Sequence, residues 1–172
     1  MSAEQANMWD GLVQMGKELK RTHSAGLLSA ALTFAYVCID TMSYLSLPSE
    51  QSQQDRSDFM AWVDTYLKGD PSQSYEYRGL DVYAARCAVL HAFSAEAELH
   101  RKDPGVRVFG YHDGHHHVSH PHLVVIGIAS FVNDIVGAIE AFLAACQDDA
   151  DLRARAEPRL GKVLHTFPIQ AP

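Results

Sequence analysis

Residues 82–93 read VYAARCAVLHAF, an apolar segment interrupted by one arginine, Arg86, and one histidine, His91. Val82, Ala85 and Val89 share one uniformly apolar face of a helical wheel, which predicts a helix packed into a helical bundle. A guanidinium taken out of water is costly unless it is paired. Arg86 and His91 are therefore either structural partners inside the bundle or the working groups of a site.

The rest of the chain predicts further helices around this segment. Apolar side chains recur at helical spacing over residues 4–21, 59–67 and 129–145, and a long apolar stretch runs from Ser24, a candidate N-cap, to Leu47 before Pro48. The helix with Arg86 is expected to span residues 80–101. The predicted fold is mainly α, a four- to five-helix bundle with long helices and short connections.

One β element is expected before the last long helix. Residues 106–111 alternate in a strand-like pattern after the Asp103-Pro104-Gly105 turn, and residues 123–128 could form the returning strand. This predicts a short β-hairpin over about residues 105–128. Residues 1–150 are predicted to form a single domain, and residues 151–172, charged and then proline-punctuated, a partly ordered C-terminal tail.

Composition narrows the function classes. The chain has 172 residues, a formal net charge of -7 and no run of lysines or arginines, so no basic stripe indicates nucleic-acid binding. Three cysteines without a CxxC pair favour free thiols in the cytoplasm. No secretory leader is expected. The apolar stretches 26–47 and 123–146 carry acids or polar groups, which favours core helices over membrane spans.

The arginine, four intervening residues and the histidine, on a late helix of a bundle, resemble the signature of the HEPN superfamily. The resemblance covers about residues 24–101 and the last long helix. It implies a homodimer in which two Arg/His motifs form a metal-independent endoribonuclease site for single-stranded RNA, without a cofactor, and in some members an antitoxin or other protein partner. His91 would act as general base or acid, and Arg86 would clamp the scissile phosphate.

Three further residues are candidates for supporting roles. Asp40, an isolated charge in an apolar helix, is the expected partner of Arg86. Tyr83 and Cys87 lie between Arg86 and His91 on the helical wheel, and the neighbouring arginine could lower the pKa of the Cys87 thiol. If Asp40 and the core satisfy Arg86 and His91, the alternative is a non-catalytic dimerisation, interaction or ligand-binding module.

A second alternative is a metal-binding protein that uses the histidine-rich segment at residues 112–122. In an alternating strand His115 and His117 would point the same way, as would His120 and His122. Imidazoles are good ligands for zinc and nickel. The other reading of this segment is a solvated hairpin tip.

Overall fold

A computed structural model describes residues 3–120 and 123–163, and it confirms the mainly helical bundle. The helices are α1 (Ala3–Ser24), α2 (Leu28–Leu45), α3 (Arg56–Trp62), α4 (Gly79–Ala92), α5 (Glu98–Lys102), α6 (Ile128–Asp148) and α7 (Ala150–Leu160). A π-helical turn, Val63–Leu67, continues α3. The strands are β1 (Val108–His112), β2 (Val118–His120) and β3 (Leu123–Gly127).

The core lies between α1, α2 and α6. Tyr36 on α2 is fully buried and stacks at a tilt against Phe131 on α6, with ring centroids 5.5 Å apart. Leu12 and Leu19 of α1 are fully buried against the same core. By length and composition α2 and α6 could each cross a membrane, which is weak evidence, and 50% and 61% of their apolar windows are buried inside the bundle.

Two predicted helix boundaries are wrong. Ser24 ends α1 rather than capping α2, because Gly26 adopts a left-handed φ of 74° and turns the chain. The predicted helix 80–101 is divided at Phe93, which also has left-handed backbone angles, φ 46° and ψ 47°. The amides of Phe93 and Ser94 donate to Val89 and Ala88 carbonyls at 3.1 Å and close the end of α4.

The predicted hairpin between residues 106–111 and 123–128 is replaced by a three-stranded arrangement within the described residues. The strand order is β1-β3-β2, with β3 parallel to β1 and antiparallel to β2. The chain reverses twice, once before and once after β2, so that β3 runs in the same direction as β1. The short strand β2 lies inside the histidine-rich segment that the sequence pattern assigned to a loop.

The segment predicted as a tail, residues 151–172, begins with a helix. Its first ten residues belong to α7, whose Leu152, Ala156 and Leu160 are buried in the core. Arg159, only 7% exposed, donates to the carbonyls of Leu47 at 3.0 Å and of Gln51 at 2.8 Å. These charge-assisted bonds hold α7 against the linker after α2. Residues 164–172 lie outside the described range.

The α3 and α4 helices meet at a glycine, and this contact positions the site described next. A Cβ at Gly79 would lie 2.7 Å from the Met60 carbonyl oxygen, so only glycine allows the two backbones to come this close. The Gly79 amide donates to Asp64 Oδ1 at 3.0 Å. The start of α4 is therefore fixed against α3, and Arg56 at the start of α3 lies beside the outer face of α4.

Candidate active site

Arg86 is held by Asp40, the partner expected from the sequence. Its Nε lies 2.9 Å from Asp40 Oδ2 and 3.2 Å from Oδ1, and its Nη2 lies 2.8 Å from Oδ2. The exposed fractions of the two side chains are 22% and 24%. The ion pair therefore joins α2 to α4 at the edge of the core, where solvent screens it only in part.

The remaining guanidinium nitrogen points to His91. Arg86 Nη1 lies 3.1 Å from His91 Nε2. Five residues separate the two on the helix, a rotation of about 140°, and the length of the arginine side chain bridges that angle. Because a guanidinium can only donate, His91 Nε2 is the acceptor in this hydrogen bond. Asp40, Arg86 and His91 thus form one continuous chain of hydrogen bonds.

The protonation of the pair follows from burial and from mutual attraction. Burial raises the pKa of the Asp40 carboxyl, and the hydrogen bonds and charge of Arg86 oppose that rise. For Arg86 burial lowers the pKa, but the Asp40 carboxylate outweighs it and the net shift is upward. The ion pair is the form expected near neutral pH. Arg86 is therefore a fixed cation aimed at the edge of the His91 ring.

Tyr83 and Cys87 lie next to this chain of hydrogen bonds, as the helical wheel predicts. Arg86 Nη1 lies 4.0 Å from Cys87 Sγ. Burial raises the pKa of Tyr83, contact with Cys87 adds to the rise, and the charges of Arg86 and Arg56 oppose it. The Tyr83 ring packs edge-on against Phe59, with centroids 5.5 Å apart, which holds its hydroxyl at the surface between α3 and α4.

An open cavity of about 810 Å³ lies on the outer face of α4. His91, Cys87 and Tyr83 line it from α4, and Arg56 lines it from α3. The segment from Ser94 through α5 forms the opposite wall. That wall exists because α4 stops at Phe93 and the chain turns back, a feature that the sequence pattern did not predict.

The four histidines proposed as metal ligands have different surroundings. His117 has a fully buried side chain, and its Nε2 lies 3.0 Å from Asp134 Oδ2 on α6. His115 and His120 are exposed, and His122 lies outside the described residues. Within residues 3–120 and 123–163, no three His, Cys, Asp or Glu side chains gather as a metal site would require. The metal site stays a prediction from the sequence.

The histidine-rich segment is anchored to the core rather than fully solvated. Asp134 accepts from His117 and also, through Oδ1, from the Tyr75 hydroxyl at 2.8 Å. The His116 amide donates to Ser130 Oγ at 3.0 Å, and Gln73 Nε2 donates to the same oxygen at 2.9 Å. Sequence reasoning missed this network. The available signal was Asp134 itself, an acid that follows Ser130 by one turn on the buried face of α6.

The cations Arg56, Arg101 and Lys102 around the His91 cavity were also missed. Arg56 begins α3, whereas Arg101 and Lys102 end α5, so the sequence does not show them as one group. Comparisons of the chain with protein-family models, with curated proteins and with solved structures find no match. The residues of the site and their geometry are therefore the basis on which a function can be inferred.

Proposed function

We propose that the protein is a cytoplasmic, metal-independent endoribonuclease of the HEPN type, which cleaves single-stranded RNA at a site shared by two copies of the chain. The observation that carries the proposal is the hydrogen-bonded chain Asp40–Arg86–His91 with His91 at the wall of an open cavity. If the Asp40–Arg86 ion pair served only to hold α2 and α4 together, it would require no open cavity next to it. A carboxylate behind the arginine fixes the guanidinium in one orientation, which is what a phosphate clamp requires.

In the proposed reaction, a non-bridging phosphate oxygen of the bound RNA replaces His91 as the acceptor for Arg86 Nη1. His91 Nε2, released from that hydrogen bond, takes the proton of the ribose 2′-hydroxyl as the 2′-oxygen attacks phosphorus. The bond from phosphorus to the 5′-oxygen breaks, and the leaving oxygen takes a proton from the His91 imidazolium of a second Arg86–His91 pair in the partner copy, which becomes neutral as the first His91 becomes charged. The products are a 2′,3′-cyclic phosphate and a 5′-hydroxyl.

The test is cleavage of end-labelled single-stranded RNA in the presence of EDTA. The native protein is expected to cut and to leave cyclic phosphate ends, whereas His91→Ala and Arg86→Ala are expected to lose the activity. His115→Ala is the matched control for the histidine, since His115 is exposed and does not line the His91 cavity. Sedimentation of each variant reports whether it remains folded and dimeric.

The second candidate is a non-catalytic dimerisation, interaction or ligand-binding module. Three hydrogen bonds from Arg86 to Asp40 favour it, because they pair the guanidinium with a carboxylate without any substrate. A folded, dimeric native protein that leaves RNA intact under the same conditions would select this candidate, with the ion pair as a structural link between α2 and α4.

A further inference from the structure

The cavity beside His91 carries positive charge that the proposed reaction does not use. Arg56 is the first residue of α3, and Arg101 and Lys102 end α5. All three line the cavity and are exposed. Lys102 Nζ lies 2.7 Å from Glu98 Oε1, so its charge is balanced locally. The charges to be explained are therefore those of Arg56 and Arg101.

Within the described residues, Arg56 and Arg101 form neither a salt bridge nor a hydrogen bond through their guanidinium groups. Two other arginines are paired with acids: Arg78 with Asp81, and Arg153 with Glu157. In a chain with a formal net charge of -7, Arg56 and Arg101 thus place on one cavity two guanidinium groups without a salt-bridge partner among the described residues. Glu96 is the remaining acid on the cavity wall, so the two arginines outnumber it.

The position of Arg56 connects it with the Arg86 and His91 end of the cavity. The charges of Arg56 and Arg86 both oppose the rise in the pKa of Tyr83, so both cations lie near the same hydroxyl. Arg101 lies on the wall formed by α5, beyond the turn at Phe93. Arg56 thus lines the cavity from α3, Arg101 lines it from α5, and His91 lines it from α4. Its volume, about 810 Å³, is near the upper end of the range for small-ligand sites.

We propose that Arg56 and Arg101 bind two backbone phosphates of single-stranded RNA, one on each side of the nucleotide presented to His91. This inference rests on the proposed function. An arginine fork matches the oxygens of a phosphate and remains charged at any physiological pH. Two such cations on one cavity give an acidic protein a locally positive surface, although its sequence contains no run of basic residues. Arg56 and Arg101 are binding residues, and the chemistry is left to Arg86 and His91.

The test measures RNA binding separately from cleavage. Fluorescence anisotropy of a labelled oligouridylate is followed in a His91→Ala background, so that the RNA stays intact, over a series of salt concentrations. Arg56→Gln and Arg101→Gln are each expected to lower the slope of log K against log salt by about 0.7 and affinity about fivefold near 0.1 M salt. Arg21→Gln, which removes an exposed charge from the end of α1 far from the cavity lining, is the matched control and is expected to keep the parent slope.

A single-stranded DNA of matching sequence distinguishes phosphate contacts from ribose contacts. For binding to DNA, each arginine variant is expected to lower the slope of log K against log salt by the same amount as for RNA. A decrease that is seen only with RNA would overturn the phosphate assignment. The assignment also fails if no RNA binds, or if the slopes of Arg56→Gln and Arg101→Gln equal that of Arg21→Gln. Arginine-dependent binding by a native protein that never cleaves would refute the nuclease and leave this inference standing. Cleavage of RNA by the native protein, together with unchanged salt slopes for both arginine variants, would refute this inference and leave the nuclease proposal standing.

Discussion

Arg86 and Asp40 lie 46 residues apart in the chain and are joined by three hydrogen bonds of 2.8 to 3.2 Å between α4 and α2. The same guanidinium reaches His91 with its remaining nitrogen. A single side chain therefore links helix packing to the candidate active site, and substitutions at either end should affect both stability and activity.

Asp40→Asn should destabilise the protein. The substitution keeps the shape of the side chain but leaves the half-buried Arg86 cation without its counter-charge, at an expected cost of about 1–3 kcal/mol in the free energy of unfolding. Urea denaturation measures this cost. Glu98→Gln removes a carboxylate from the exposed pair with Lys102 and should leave the urea midpoint unchanged. Equal midpoints for native protein and Asp40→Asn would contradict the structural role.

Phe93→Gly should stabilise the fold. Phe93 is 67% exposed and has left-handed backbone angles, which cost a residue with a Cβ about 1 kcal/mol and cost glycine almost nothing. Little packing is lost at so exposed a ring. Ala92→Gly, one position earlier and inside α4, should destabilise by about 1 kcal/mol. If both substitutions shift the melting temperature in the same direction, the backbone explanation is wrong.

His117→Ala should cost about 2 kcal/mol or more in the free energy of unfolding. The imidazole is fully buried, and its removal opens a void and takes one hydrogen bond from the buried Asp134 carboxylate. His115→Ala, at an exposed position of the same segment, should change stability little. Thermal melts with and without EDTA separate this effect from metal binding. Identical melts for the two variants would show that the His117–Asp134 contact contributes nothing.

The three cysteines should differ in reactivity towards a thiol reagent at mildly alkaline pH. Burial raises the pKa of Cys38 to about 12 and that of Cys146 to about 11, which leaves little thiolate in either. Cys87 is part-exposed and lines the His91 cavity. One equivalent should react in the native protein and three after denaturation. Cys87→Ser should abolish the native reaction; rapid native labelling of this variant would contradict the assignment.

Protection of Cys87 by RNA is a separate consequence of the proposed RNA binding by Arg56 and Arg101. Bound single-stranded RNA would cover the cavity wall that carries Cys87, so the rate of labelling should fall as RNA is added. High salt should restore the rate, because phosphate contacts weaken with ionic strength. A labelling rate that is independent of RNA would place the nucleic acid elsewhere on the protein.

Local patterns in the sequence predicted the parts of the structure that depend on neighbouring residues. The bundle and the long helices follow from apolar periodicity. The Asp40–Arg86 pair spans 46 residues, and its prediction came instead from the cost of an unpaired charge in an apolar helix. The end of α4 at Phe93 could not be predicted, since a phenylalanine gives no signal for left-handed backbone angles. The parallel pairing of β1 with β3 depends on a three-residue strand too short to show alternation.

The sequence by itself determined which residues could carry chemistry, because residue type and helical spacing are local properties: Arg86, His91 and the acid that pairs with them. Only the tertiary structure decided what surrounds them. The turn at Phe93 creates the wall of the cavity formed by α5, and close packing at Gly79 brings Arg56 to the wall formed by α4. The tertiary structure also buries His117 against Asp134 and leaves His115 exposed. These outcomes depend on contacts between residues far apart in the chain, and no local pattern encodes them.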